Sequence, residues 1–295
     1  MDAARDDEVT AFDLLAAYTM GIFPMADAAT DTDIFWVDPD MRGVIPLDAF
    51  HVSHSLRKFL KKRPYRVTIN HAFDAVITAC GEAVPKRPDT WINPTIKNWF
   101  CELHRMGFAH SVECWDHKTG ALVGGLYGMA IGAAFFGESM FSKADHASKV
   151  ALVHLVARLN ARGFQLLDCQ FTNPHLLQFG CIEISREDYH SALGAAVDVA
   201  GVSFVGADDC VSSGVAGAAG ASVSGAATGA ATGAAALSSA LAAAGLDSSL
   251  VAGVLPAGVL ASGALGAGAL GAGVLACDSD WAMALGFLQS STVTS

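Results

Sequence analysis

Two stretches of the chain gather the residue types that chemistry needs. Phe135-Phe136-Gly137-Glu138-Ser139-Met140-Phe141-Ser142 sets one carboxylate among aromatics, a methionine and hydroxyls. That mixture describes a greasy pocket with a polar rim. It describes ordinary core with one exposed Glu equally well. Leu167-Asp168-Cys169-Gln170-Phe171-Thr172-Asn173-Pro174-His175 follows a short apolar run and collects polar groups where a strand should end. Strand ends hold ligands in α/β folds, although turns and helix caps use the same residues. Glu138, Asp168 and Gln170 together make a modest acid/base and hydrogen-bonding set. A nucleophile signature is missing, since Gly137-Glu138-Ser139 does not complete Gly-x-Ser-x-Gly and no Gly-rich phosphate loop occurs. His54, His110 and His154 read as structural. The seven cysteines include no Cys-x-x-Cys pair, and His-Glu-x-x-His is absent. Zinc and a disulfide framework are therefore not expected, and a reducing cytosol fits.

The elements that must position these groups follow from periodicity. Asp7 to Met20 reads as a short amphipathic helix, ended by Gly21-Ile22-Phe23-Pro24. Phe35-Trp36-Val37 and Val44-Ile45-Pro46-Leu47 read as short strands around a turn. Ser53 caps a basic helix through Lys61, and Tyr65 to Ile69 alternates like a strand. Ala72 to Cys80 and Pro94 to Met106 are helical, the second with Ile96, Trp99, Phe100 and Leu103 on one face. His110 to Trp115 and Ala121 to Tyr127 form a hairpin pattern, and Gly132 to Phe136 supplies a third strand. Ala147 to Asn160 is an amphipathic helix, and Phe164 to Asp168 a short strand running into the polar cluster. Strands and helices in this order predict an α/β or α+β domain with helices packed on a mixed sheet.

Charge is unevenly spread over the 295 residues. The net value of −11 is carried by the acidic first forty positions and the Lys- and Arg-free C-terminal stretch, whereas residues 41–197 hold 17 Lys or Arg against 13 Asp or Glu. Arg57, Lys58, Lys61, Lys62, Arg63 and Arg66 form a basic run without a carboxylate. Such a run is either a phosphate-neutralising patch or a solvated helix face. No basic, apolar leader opens the chain, so a secretory signal is not expected. From Gly194 onward Ala, Gly, Val, Ser and Leu dominate and no Lys or Arg recurs. Leu250 to Ala276 is uncharged and long enough for a bilayer. Its Gly/Ala content, Pro256 and lack of basic flanks argue instead for an unstructured tail with no membrane partner.

Several motifs in fixed order carry a resemblance. They are Leu14-Leu15-Ala16-Ala17-Tyr18 with Gly21-Ile22-Phe23-Pro24-Met25, Trp36 with Pro39, Arg42 and Gly43, Thr90-Trp91-Ile92, and His110-Ser111-Val112-Glu113. Leu122-Val123-Gly124-Gly125-Leu126-Tyr127-Gly128, Phe136 to Ser142, Ala147-Ser148-Lys149 and Asp168-Cys169-Gln170 complete the set. Over residues 9 to 193 the sequence resembles the leucyl/phenylalanyl-tRNA–protein transferases. The resemblance implies an α+β protein with a small N-terminal α/β domain (1–65) and an N-acetyltransferase-like (GNAT-like) mixed-sheet domain (66–200); it does not reach the low-complexity tail (201–295), which composition alone leads us to expect disordered. It also implies a cytoplasmic, monomeric enzyme without a cofactor or metal. Such an enzyme moves Leu or Phe, and less readily Met, from aminoacyl-tRNA to proteins beginning with Arg or Lys and so marks them for N-degron degradation.

The residue roles implied are equally specific. Positions matching the substrate pocket are Leu126, Phe135, Ser139, Met140, Leu152, Leu155 and Leu167, and apolar walls would reject a charged side chain. Trp36 and Trp91 match the residues holding the terminal adenosine. Arg57, Lys58, Lys61, Lys62, Arg63 and Arg66 would then hold the acceptor stem by its phosphates. Asp168 takes an electrostatic or base role with Gln170, which orients the amine, and Glu138 contacts the acceptor's N-terminal residue or amine. An acyl-CoA-dependent N-acyltransferase is the nearest alternative, but Ser142 to Ala147 lacks the glycines of its pyrophosphate loop. A non-catalytic RNA-binding module is the other, and the assembled polar and pocket motifs count against it.

Overall fold

The computed structural model describes residues 9–85, 88–206 and 278–290. Helix α1 (Ala11–Thr19) starts on a capping box, with Asp13 N–H bonded to Thr10 Oγ1 at 3.3 Å and Thr10 N–H to the Asp13 carboxylate at 2.8 Å. Strands β1 (Phe23–Met25) and β2 (Phe35–Val37) pair as a two-stranded ribbon with Pro24 opposite Trp36. After β3 (Met41–Val44), Ser53 caps α2 (His54–Leu60), which leads to β4 (Arg66–Ile69) and α3 (Phe73–Gly81). Asn93 caps α4 (Pro94–Arg105), where Pro94 loses no helical bond in the first turn.

Three long strands follow, β5 (Ala109–Trp115), β6 (Leu122–Ile131) and β7 (Ala134–Ser142). Helix α5 (Ala147–Arg162) crosses over to β8 (Leu166–Gln170). Beyond it lie α6 (Pro174–Leu177), β9 (Ile182–Ser185), α7 (Arg186–Val197) and α8 (Asp278–Ser290). The main sheet runs β4-β5-β6-β7-β8-β3-β9, and only its β7–β8 pair is parallel. This is the expected α+β arrangement with a mixed sheet. β3 belongs to the stretch assigned to an N-terminal domain, yet it is an interior strand of that sheet.

Alternating side chains split the core between the two faces. Tyr127 and Phe136 join α1, α3, α4 and α7 on one face, while Leu126 and Phe135 join α2, α5 and α8 on the other. The β7–β8 pairing ends at Phe136 opposite Asp168, although β7 continues to Ser142. The strands part there, and the residues just past the parting are Glu138, Cys169 and Gln170.

Two sequence expectations shift. The strand near residue 44 is Met41–Val44 rather than Val44–Leu47, because residues 41–44 supply the backbone that both β8 and β9 pair with. The third strand of the meander runs nine residues, not five, so most of the Phe135–Ser142 cluster is strand. Of the stretch expected to be a tail, residues 207–277 and 291–295 lie outside the described residues, including Leu250 to Ala276. Asp278–Ser290 is a helix on α5, with the Trp281 ring 4.6 Å from that of His154 and Arg57 Nη1 donating to Leu288 O at 2.7 Å. Among the described residues no helix is long and apolar enough to cross a membrane.

Candidate active site

Two β-bulges build the site. Tyr127 opposes Ser139 and Gly128 opposes Gly137, which leaves Glu138 as an extra residue on β7. Val44 opposes Asp168 and Gly43 opposes Gln170, which leaves Cys169 extra on β8. A bulge bends its strand and re-aims a side chain, which is why such irregularities gather beside active sites. Here both bulges lie at the parting of β7 and β8. Gln170 has φ +58, a left-handed conformation that costs a non-glycine residue about 1–2 kcal/mol. Its N–H bond to Asp168 Oδ1, at 2.8 Å, holds it there. Gly43 lets the next segment close over β3, since a Cβ there would stand 2.7 Å from the Phe171 carbonyl carbon.

Asp168 is fully buried and fully bonded. Oδ1 accepts Arg42 Nε at 2.9 Å and Gln170 N at 2.8 Å. Oδ2 accepts Arg42 Nη2 at 2.6 Å and Tyr189 Oη at 2.9 Å. Arg42 is itself buried, with its guanidinium carbon 4.5 Å from the Phe23 ring centre, 4.4 Å from that of Tyr189, and Nη1 donating to Gly21 O at 2.9 Å. Burial works most strongly against the Arg42 charge, but the hydrogen bond and the charge of Asp168, with smaller help from Tyr189 and Tyr18, together outweigh it. Burial and the Asp168 charge also push the Tyr189 phenol far up, so it remains a donor. All four acceptor positions of Asp168 are thus occupied by the protein.

Glu138 is different. Its Oε1 accepts Tyr18 Oη at 2.8 Å and Gln170 Nε2 at 3.2 Å. Burial pushes its carboxyl up to about 8, the Tyr18 hydrogen bond pulls the other way, and the Asp168 charge raises it further. The Tyr18 phenol is raised too, first by burial and then by the charge of Glu138. Glu138 lines a cleft with Phe23, Pro24, Met25, Trp91, Cys169, Gln170, Phe171 and Asn173. Its volume is about 160 Å³, close to that of an engineered cavity of about 150 Å³ that admits benzene. The cleft joins aromatic and apolar walls to one acid, Glu138, and two amides, Gln170 and Asn173. Among the described residues no cluster of His, Cys, Asp and Glu has the makings of a metal site.

Only some of the residues singled out in the sequence meet at this cleft. Glu138, Asp168 and Gln170 converge, and Trp91 lines the wall. Trp36 stands on the β1–β2 ribbon opposite Pro24, exposed and outside the cleft lining. Leu126, Phe135, Leu152, Leu155 and Leu167 form one packed cluster on the α5 face, with half-buried Met140 against it. Ser139 faces Tyr127 across β7 and β6. The basic run is no single helix face, because α2 stops at Leu60. Lys58, Lys61, Lys62 and Arg63 are exposed. Arg57 is spent on Val52 O and Leu288 O, and Arg66 stacks on Trp115 at 5.3 Å. Tyr18, Arg42, Tyr189 and Phe171 complete the site without having been assigned to it. Tyr18 and Arg42 did stand within shared motifs, whereas nothing in the sequence marked Tyr189.

Comparison with known proteins agrees with the motif reading. Residues 44–194 match the family model described as leucyl/phenylalanyl-tRNA protein transferase, and residues 7–40 match that of the family's N-terminal domain. The leucyl/phenylalanyl-tRNA–protein transferase of Hyphomonas neptunium is 58% identical over 197 residues, covering 67% of this chain and 75% of the relative. That of Rhodospirillum rubrum is 55% identical over 188 residues, covering 64% of this chain and 87% of the relative. Among solved structures, the crystal structure of FemX aligns at TM-score 0.35 and 11% identity, over 61% of this chain and 64% of that one. That likeness is too slight to carry an argument.

Proposed function

Because the chain belongs to the leucyl/phenylalanyl-tRNA–protein transferase family, we propose that it moves Leu or Phe, and less readily Met, from charged tRNA onto proteins that begin with Arg or Lys. It is an aminoacyltransferase. The observation that best supports the finer reading is the Glu138–Gln170 pair at the base of an aromatic cleft, anchored from behind by the Arg42–Asp168 ion pair.

The chemistry asks for positioning more than force. The donor is an activated ester, and a free α-amine has a pKa of about 7.7–8.0, so roughly a tenth of it is already neutral at pH 7. Gln170 and Glu138 hold that amine against the ester carbonyl, and Glu138, whose carboxyl is pushed up to about 8, favours a basic N-terminal residue in its ionised form. Asp168 fixes Gln170 through its backbone N–H and does not meet the substrate. The side chain being transferred is assigned to the Leu126, Phe135, Ser139, Met140, Leu152, Leu155 and Leu167 cluster. Met140, unbranched and half-buried, is its adaptable edge. An apolar wall separates Leu from Val only weakly, since one methylene is worth about 1–3 kcal/mol. Trp91 and Trp36 offer faces to the terminal adenosine, at about 1–3 kcal/mol per stacked base. Lys58, Lys61, Lys62 and Arg63 meet phosphates of the acceptor stem without reading sequence. The modified proteins pass to N-degron degradation, and the reaction belongs in the cytoplasm, where charged tRNA is made.

The test is transfer of radiolabelled Leu or Phe from charged tRNA to an Arg-initiated peptide by the purified protein. Label should enter the peptide only with intact aminoacyl-tRNA and an N-terminal Arg or Lys. Equal labelling of a peptide that begins with Asp, or none with any acceptor, would reject the assignment.

A further inference from the structure

The two oxygens of Glu138 have unequal surroundings. Tyr18 Oη and Gln170 Nε2 both donate to Oε1. No hydrogen bond among the described residues reaches Oε2, and Glu138 belongs to the cleft wall. Two donors on one oxygen fix the rotamer and aim the other oxygen at the cleft. Asp168, the remaining carboxylate of the site, has no acceptor position left. The bulge at Glu138 and the parting of β7 from β8 together put this one unshared carboxylate oxygen where an amine would lie.

We infer that Glu138 Oε2 is the proton carrier of the transfer, an assignment that rests on the reaction proposed above. The α-amine nitrogen attacks the ester carbonyl carbon, and as the C–N bond forms its proton passes to Oε2. As the bond from the carbonyl carbon to the ribose oxygen breaks, Oε2 hands that proton to the departing oxygen. Ester and amine become amide and alcohol, and Glu138 returns to its starting state. Tyr18 is a positioning residue, acting only through Oε1.

The electrostatics agree. Glu138 is faced by Tyr18 from α1, Arg42 from β3, Asp168 and Gln170 from β8, and Tyr189 from α7. Burial leads this set and lifts the carboxyl to about 8, against about 4.3 for an ordinary Glu. A carrier matched to the amine's own pKa of about 7.7–8.0 takes and returns a proton with little loss either way.

Two variants test this, Glu138→Gln and Tyr18→Phe, each read by carboxyl ¹³C titration of the protein alone and by the pH profile of kcat with an Arg-initiated peptide. Glu138→Gln keeps the shape of the side chain and should lower kcat by about 10²–10⁴-fold with KM for charged tRNA within threefold. Tyr18→Phe removes a bond that favours the carboxylate, so the Glu138 resonance and the acid limb of kcat should move to higher pH together. The peptide's amine is the same in both proteins and cannot produce that shift. A Glu138→Gln enzyme with kcat within threefold of wild type overturns the inference. So does a Tyr18→Phe enzyme whose carboxyl resonance moves while its acid limb stays in place. Transfer by the wild type is scored separately, so a failure confined to the variants strikes this assignment and not the reaction itself.

Discussion

Replacing Arg42 by Met would leave Asp168 buried with two of its four donors. The guanidinium and the carboxylate are 1% and 0% exposed, so solvent does not screen the pair, and losing one partner of such a pair costs about 3–5 kcal/mol. The lost faces of Phe23 and Tyr189 add about 1 kcal/mol, and the freed Gly21 carbonyl accounts for part of the remainder. A destabilisation of roughly 4–6 kcal/mol should lower Tm by about 8–24 °C in a folded body of this size. Urea unfolding followed by tryptophan fluorescence measures the first quantity, and calorimetry the second. Arg42→Lys should recover less than half, since an ammonium cannot reproduce the planar fork. Arg42→Met with Asp168→Leu should be more stable than Arg42→Met alone, because the orphaned charge is gone. An Arg42→Met protein within 1 kcal/mol of wild type, or a double variant less stable than the single, would refute the idea that this pair anchors the site.

Three further outcomes follow from other parts of the molecule. His154 is buried, and burial, helped by the nearby Arg158 charge, lowers its pKa to about 3. Its neutral form therefore stabilises the fold above pH 6.5, and that contribution, up to about 5 kcal/mol, is lost as pH falls from 6.5 toward 3. His154→Leu should flatten the stability–pH curve in that window, and an unchanged curve would remove His154 from the account. Exchanging Lys58, Lys61 and Lys62 for Ala should weaken tRNA binding and reduce the slope of log affinity against log salt by about one for each phosphate no longer neutralised. An unaltered slope would place the tRNA elsewhere. Trp281→Ala should cost up to about 3–5 kcal/mol, capped by whatever α8 contributes on docking, while kcat stays within twofold. A large fall in kcat would tie α8 to the active site.

Much of this architecture was legible because it follows from local rules. The β5–β6 hairpin, α5 and the Ser53 cap depend on alternation, helical period and one side chain, all written in consecutive residues. Glu138, Asp168 and Gln170 were legible as chemistry for the same reason. What escaped is a matter of register and long range. Phe135 faces α5 and Phe136 the opposite side, so strict alternation would return Phe141 to the α5 face. The bulge at Glu138 reverses the phase, placing Met140 against the α5 cluster and Phe141 in the other core. No property of the isolated strand announces that reversal. Arg42 likewise looks like a surface cation until Asp168 and Tyr189, more than a hundred residues later, close around it. Helix α8 repeats Trp281, Ala284, Leu285 and Leu288 at helical spacing, but it follows a stretch whose composition hides it.

The place of β3 in the sheet bears on how the protein is made. β3 is synthesised early, yet among the described strands it pairs only with β8 and β9, the second of which leaves the ribosome about 140 residues later. At roughly 5–20 residues per second that is a wait of about 7–30 s. For most of this interval the strand has neither neighbour, and Arg42 has no carboxylate to bind. A growing chain therefore holds Trp36, Trp91 and the basic run, but no Asp168 to seat Gln170. A nascent protein of this kind can hold the residues proposed to meet tRNA before the site is assembled, which happens only when its last two strands emerge.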